Sequence, residues 1–377
     1  MSGVSQLPRW GYWFGAQYPI WRTLIGCVSL TFLTVLSSAP ASAQHAAPPQ
    51  ANVSEQIAPY IKPQLVVPIA EGRTINLVCI GHGSPTVVLT AGLGGWSWVW
   101  YRIQGPLSRR IRVCTWDPAG LGFSSPSPEP QDVIHETEDL EKALKAAHLD
   151  EPYVMVAHSA GAYAAIQFAD QYRKSVVGMV LVDPAIPDQD AVRERVAPKF
   201  AEFGNGAPRA EAMRLRQCAT DLRSGALKRG TPAYDECTAP SLLPSASALT
   251  EVLAQLNADP ARLLTQASAI ENVSHSGREV INPQRRYGDM PLIVLTSGSH
   301  PMPPQVPAEV RQDAALFFRA LASGHQAYAE LSTRGHNQVV SNSGHFIQID
   351  YPEAVLMAVK SVLAEVGPKP SPKTPVQ

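Results

Sequence analysis

The chemistry of this chain centres on Ser159, in Tyr153-Val154-Met155-Val156-Ala157-His158-Ser159-Ala160-Gly161-Ala162-Tyr163. Five apolar residues of strand type run into the serine, and an alanine-rich helix pattern leaves it. With no loop between strand and helix, the serine must take a strained backbone conformation. Only small neighbours such as Ala157 and Gly161 let the two elements pass so closely. The hydroxyl is then lifted clear of the sheet, and the free N–H groups of the new helix face whatever oxygen it attacks. A plain serine cap on an ordinary strand-to-helix unit is the alternative. A serine hydroxyl is a weak nucleophile near neutral pH and needs a base, itself held by a partner. Of the ten histidines, His345 is the best placed, because it directly follows the last strand in Ser343-Gly344-His345-Phe346. His336 precedes that strand, His158 should point away from Ser159, and His82, His300 and His325 read as surface or core residues.

Elements must bring these residues together. Leu65–Ile69 and Thr74–Ile80 flank Glu71-Gly72-Arg73 and read as a hairpin. Thr86–Thr90, Arg112–Trp116, Tyr153–Ala157 and Val176–Val182 are buried-strand runs at strand–helix–strand spacing, which implies a mainly parallel sheet. Trp96 to Ile103 and Val133–Ala147 read as helices between them. From Ile186 to Met290 the rhythm stops and only helical patterns remain, such as Glu211–Leu222, Leu249–Leu256 and Ala261–Ile270. It resumes with the strand Leu292–Thr296, a helix over Ala308–Ser323, the strand Asn337–Ser341 and a helix over Pro352–Val366. A helical interruption of that length is too long for one structureless loop. It should form a lid over the sheet edge where the strands end and substrates bind.

These motifs, in this order from Leu65 to Val366, resemble the α/β-hydrolase superfamily, with Ala-x-Ser-x-Gly in place of the usual Gly-x-Ser-x-Gly nucleophile elbow. The resemblance implies a mostly parallel eight-stranded sheet with helices on both faces and a helical cap after the sixth strand. The implied division is a hydrolase core over 60–185 and 291–366 with a lid over 186–290. The superfamily's acid commonly follows the strand after the lid, but Ser297-Gly298-Ser299-His300-Pro301 has no carboxylate there. The other position known in the superfamily falls on Asp183, at the end of Val180-Leu181-Val182-Asp183-Pro184. Asp183 could equally cap a turn, and Asp188 and Asp190 are further candidates. The resemblance also implies an oxyanion hole from the backbone N–H groups of Ala160 and Leu93, the latter in Ala91-Gly92-Leu93 where relatives often carry His-Gly. Asp117-x-x-Gly-x-Gly-x-Ser resembles a structural turn of the same superfamily, and its glycines imply positive φ. The tryptophans at 96, 98 and 100 line either a pocket or a helix core. The implied activity is cleavage of a small, moderately hydrophobic carboxylic ester through an acyl-enzyme, without cofactor or metal. The competing reading is a catalytically silent binding protein that kept the fold. Epoxide hydrolases and dehalogenases of this fold use a carboxylate nucleophile, which the serine at 159 argues against.

Composition bounds the setting. The chain has 377 residues, a formal net charge of −1 and no basic run, so nucleic acid is not an expected partner. Arg9 and Arg22 precede an apolar run over Leu24–Leu36 and then Ala41-Ser42-Ala43, the form of a signal peptide spanning 1–43 and cleaved before Gln44. The competing reading is a retained membrane anchor, but the run falls short of the roughly 20 residues that span a bilayer. A flexible linker is expected over 44–59 and a disordered tail over 367–377. Secretion or a periplasmic location follows from cleavage. Cys27 would leave with the signal. Cys218 with Cys237 is an attractive disulfide, whereas Cys79 and Cys114, each inside a strand, could pair or remain buried thiols.

Overall fold

The computed structural model describes residues 53–204, 206–239 and 248–367. The expected signal peptide, most of the expected linker and the tail beyond Gly367 lie outside the described residues. The first described elements are α1 (Val53–Ile57) and a 3-10 turn over Ala58–Tyr60. The end of the segment expected as linker is therefore helical, because Ile57 and Tyr60 pack with Val78, Trp96 and Leu249.

Eight strands form one sheet: β1 (Leu65–Ala70), β2 (Arg73–Ile80), β3 (Thr86–Thr90), β4 (Val113–Trp116), β5 (Tyr153–His158), β6 (Val176–Val182), β7 (Leu292–Ser297) and β8 (Gly335–Val340). Their order is β1-β2-β4-β3-β5-β6-β7-β8. The pairs β1–β2 and β2–β4 are antiparallel, and the rest of the sheet is parallel. The inner strands β3, β5 and β7 are buried at every position. Their continuous apolar runs are what a sheet covered on both faces requires. Alternate side chains of β5 enter two separate cores. Met155 and Ala157 pack on one face, Val154 and Val156 on the other.

The helices in chain order are α2 (Gln104–Ser108), α3 (Val133–Ala146), α4 (Gly161–Gln171), α5 (Gln189–Val196), α6 (Pro198–Gly204), α7 (Gly206–Ser224), α8 (Pro232–Thr238), α9 (Ala248–Leu256), α10 (Pro260–Glu279), α11 (Ala308–Ala329), α12 (Ile347–Asp350) and α13 (Pro352–Val366). Leu140 and Leu144 of α3, Ile166 of α4 and Tyr328 of α11 cover one face. Leu107 of α2 and Val355 and Val359 of α13 cover the other.

Three local expectations change. The helix expected from Trp96 to Ile103 is a 3-10 turn over Ser97–Trp100 followed by α2. Trp96 and Trp100 are buried in the packed core, so the core reading holds for them and not the pocket reading. The last strand begins and ends earlier than expected, because β8 is an edge strand of alternating exposure without the apolar signature of an inner strand. Cys79 and Cys114 are not free thiols: they sit opposite one another on β2 and β4 and form a disulfide. Cys218 and Cys237 form the second, joining α7 to α8.

Between β6 and β7 every described element is helical. Helices α7 and α10 pack through Leu215, Ala219, Leu263 and Ala267. α10 is fastened to the loop after β4: the Arg262 guanidinium donates to the carbonyls of Ser124 (2.6 Å) and Gly122, and the Gln266 amide donates to Gly120 O (2.9 Å). Gly120 and Gly122 carry φ of +72° and +45°, as the turn reading required. Asp117, wholly buried, holds that turn by accepting from Asn76 Nδ2 (2.7 Å), Phe123 N (2.9 Å) and Ser97 N (3.1 Å). Among the described residues no helix is long and apolar enough to cross a membrane.

Candidate active site

Parallel strands deliver their C-terminal ends to one edge, and there the chain collects Ser159 after β5, Asp183 after β6, Leu93 beyond β3 and His345 beyond β8. Ser159 has φ +52°, a conformation that costs a non-glycine residue about 1–3 kcal/mol unless its surroundings impose it. They do. Its N–H donates to Val182 O at 3.1 Å, and its carbonyl accepts from Ala162 N and Ala185 N, each at 3.0 Å. The small neighbours are sterically required. A Cβ on Gly161 would lie 2.2 Å from Ala91 O, and one on Gly92 would lie 2.8 Å from Ser159 Cβ.

His345 Nε2 lies 3.0 Å from Ser159 Oγ, and its Nδ1 lies 2.7 Å from Asp183 Oδ2. The other Asp183 oxygen accepts from Ser297 N at 2.8 Å. Burial alone would push the Asp183 carboxyl up. The His345 hydrogen bond, the charges of His345 and His325 and the Ser297 N–H outweigh it and hold the group well below the usual carboxylate range. An ionised acceptor at Nδ1 places the proton there and turns the lone pair of Nε2 toward the serine hydroxyl. Asp188 precedes α5 and Asp190 pairs with Arg193 at 2.8 Å, so neither takes this position. Asp350 accepts from Gly344 N at 3.2 Å, in the His345 loop.

The N–H groups of Leu93 and Ala160 have no hydrogen-bond partner among the described residues, and both residues line a cavity of about 170 Å³. Its walls run along Gly92, Leu93, Ala160 and Gly161 on the sheet side and along α7 and α10 opposite. Apolar side chains such as Leu121, Val133, Leu215 and Val273 make up much of the lining.

His158, expected to point away from Ser159, turns its ring to the loop that carries His345. Its centroid is 4.6 Å from that of His345, and its Nε2–H donates to His345 O at 3.0 Å. It therefore braces the loop that carries His345, a contact between residues 187 positions apart that no local pattern reveals. Behind Asp183 lie two more histidines. His325 donates from Nε2 to Pro184 O at 2.7 Å and contacts the Thr296 hydroxyl at 2.8 Å through Nδ1. His300 contacts Ser297 Oγ at 2.9 Å and stacks on Phe318.

Burial, and then the neighbouring charge of His345, hold the His158 imidazole down at about 3. In the unfolded chain it titrates near its ordinary value of about 6.5. The unfolded state thus binds the extra proton as pH falls, so the stability His158 contributes is complete above that value and drains away toward pH 3. The expected slope is at most about 1.4 kcal/mol per pH unit for one proton. Urea unfolding between pH 7 and 4 should show a steeper loss for the native chain than for His158→Gln; equal slopes would refute a buried neutral imidazole.

Residues 77–358, three quarters of the chain, match the Alpha/beta hydrolase family. Among curated proteins, the uncharacterized protein YqjL of Bacillus subtilis (strain 168) is 34% identical over 108 residues, which are 29% of this chain and 43% of that one. YbdG of the same organism is 28% identical over 174 residues, 45% of this chain and 52% of the other. The chain thus spans about half or less of these two relatives. Among solved structures, the haloalkane dehalogenase DatA from Agrobacterium tumefaciens C58 superposes with a TM-score of 0.55 at 17% identity, over 80% of this chain and 96% of that one. At that identity the likeness is one of fold.

Proposed function

Because the chain belongs to the alpha/beta hydrolase family, we propose that it is a serine hydrolase that cleaves a small carboxylic ester through an acyl-enzyme. The observation that carries the proposal is the unbroken line from Ser159 Oγ through His345 to Asp183, with contacts of 3.0 and 2.7 Å. As Ser159 Oγ bonds to the ester carbonyl carbon, its proton passes to His345 Nε2, and Asp183 steadies the imidazolium. The carbonyl oxygen becomes an oxyanion facing the N–H groups of Leu93 and Ala160. Collapse expels the alcohol, which takes the proton from Nε2. Water then repeats the sequence on the acyl-serine and releases the acid. A fluorophosphonate probe should add one phosphonyl group, located by peptide mass spectrometry on Ser159; a label elsewhere, or none, would count against the mechanism.

In this reading the helices over 186–290 act as a lid, since α7 and α10 roof the cavity beside the nucleophile. The cavity of about 170 Å³ limits the substrate. A space on the order of 150 Å³ accepts a benzene ring. Short p-nitrophenyl esters should therefore be preferred to a twelve-carbon one by about tenfold or more in kcat/KM, the size of effect that overfilling a packed site produces. A flat profile across chain lengths would show that the cavity does not hold the acyl chain. Two disulfides fit an oxidising compartment, and with the signal-like N-terminus they support export after cleavage before Gln44. Membrane tethering through a retained segment is the alternative, which the intact mass of the exported protein separates.

A further inference from the structure

The cavity beside Ala160 has one charged group that the protein leaves unanswered. Glu136, in the first turns of α3, lines the cavity with Val133. Its carboxylate makes no hydrogen bond or ion pair with any described residue. Basic residues on its own helix and on neighbouring elements pair with other groups. Arg73 of β2 is paired with Asp139, and His135 with Asp132 at 2.7 Å. Arg214 of α7 holds Glu211 through two contacts of 2.8 and 2.6 Å. His275 of α10 sits 3.3 Å from Glu279. On α4, Tyr163 donates its hydroxyl to Ile186 O at 2.8 Å.

The side-chain amides of the lining are also occupied. Gln266 Nε2 donates to Gly120 O (2.9 Å) and to Asn257 Oδ1 (3.0 Å), and Asn257 Nδ2 donates to Thr238 O (3.0 Å). The charged residues of the lining are Glu136, Glu211 and Arg214, so the cavity carries one net negative charge when Glu136 is ionised. The Glu136 carboxylate is partly buried, opens to this cavity and has no counter-ion among the described residues, so a cation entering the cavity is the group suited to pair with it.

We propose that the cavity selects a substrate bearing a protonated amine, and that Glu136 is the residue that pairs with it. This rests on the serine-hydrolase reading for its catalytic consequence, but the binding event itself does not require turnover. The electrostatics agree. Burial first, then the charges of Asp139 and Asp132, push the Glu136 carboxyl up to about 7. Its ionised form therefore lacks support inside the protein, and an incoming ammonium would supply that support.

The experiment is calorimetric binding of benzylammonium and of benzyl alcohol, two probes of one shape and a ring that suits the cavity. The full chain should bind benzylammonium about tenfold more tightly, the range of a charge-assisted hydrogen bond. In Glu136→Gln, checked for folding by circular dichroism, the ratio should fall to near one. In the native chain the benzylammonium affinity should rise as pH increases from 6 to 8, since the ionised carboxylate is the form that pairs, while benzyl alcohol should bind with little pH dependence. This arm needs no variant. Equal affinities for the two probes in the native chain, a preference that survives Glu136→Gln, or a benzylammonium affinity independent of pH would overturn the proposal. A preserved preference in a chain that turns over no ester would sink the hydrolase reading alone.

Discussion

Replacing Ser159 by alanine is expected to lower kcat for p-nitrophenyl ester hydrolysis by about 10⁴- to 10⁶-fold, the scale on which removing the nucleophile of a serine triad acts. The variant loses the hydroxyl that lies 3.0 Å from His345 Nε2, and with it the proposed acyl-enzyme route. What remains is the proposed oxyanion site at Leu93 and Ala160 and the positioning the cavity supplies, neither of which involves the Oγ atom. The fold should persist, because alanine is no more strained than serine at φ +52° and the backbone bonds to Val182, Ala162 and Ala185 do not involve the side chain. Melting temperatures of the two chains should accordingly agree closely. Steady-state kinetics with active-site titration checks the first expectation. No turnover by either chain would favour a silent binding protein on the same fold, and comparable turnover by both would mean that Ser159 is not the nucleophile.

Asp183→Asn is expected to cost about 10⁴-fold in kcat with little change in KM, the effect of leaving an imidazole in the wrong tautomer. Asp183 accepts on both oxygens, from His345 Nδ1 at 2.7 Å and from Ser297 N at 2.8 Å. An asparagine has one acceptor. If it serves Ser297, its amide N–H₂ faces Nδ1, draws the lone pair there and leaves the proton on Nε2, where it cannot accept from serine. The group is fully buried, so water does not substitute for the lost acceptor. Its carboxyl is held below the ordinary range, so the native chain has this anion in place throughout neutral and mildly acidic pH, and no activity limb near pH 4 to 5 should come from it. Pre-steady-state measurement of the acylation burst gives the comparison. A variant within tenfold of the native chain would mean that another carboxylate, Asp188 or Asp190, orients His345.

The local features of this protein were open to the sequence because short-range sterics produce them. The corner at Ser159 follows from an apolar strand meeting an alanine-rich helix with Ala157 and Gly161 at its sides, and it carries the positive φ such a junction demands. Gly120 and Gly122 are likewise glycine because the backbone there turns left-handed. The Cys218–Cys237 bridge spans one short excursion and could be read from spacing. Choosing Asp183 over Asp188 needed the superfamily's pattern, because only the pairing of β6 between β5 and β7 puts its carboxylate between Ser297 and His345.

What the sequence left undecided depends on which distant segments touch. Cys79 and Cys114 pair because β3 crosses to the far side of β4, leaving β2 and β4 adjacent. His158 meets a loop from the other end of the chain, and Glu136 meets a wall built by α7 and α10. A side chain's partners across such distances are set by how the whole sheet and its helices pack. Residue type and spacing state what chemistry a group can perform, and only that packing selects the group it performs it with.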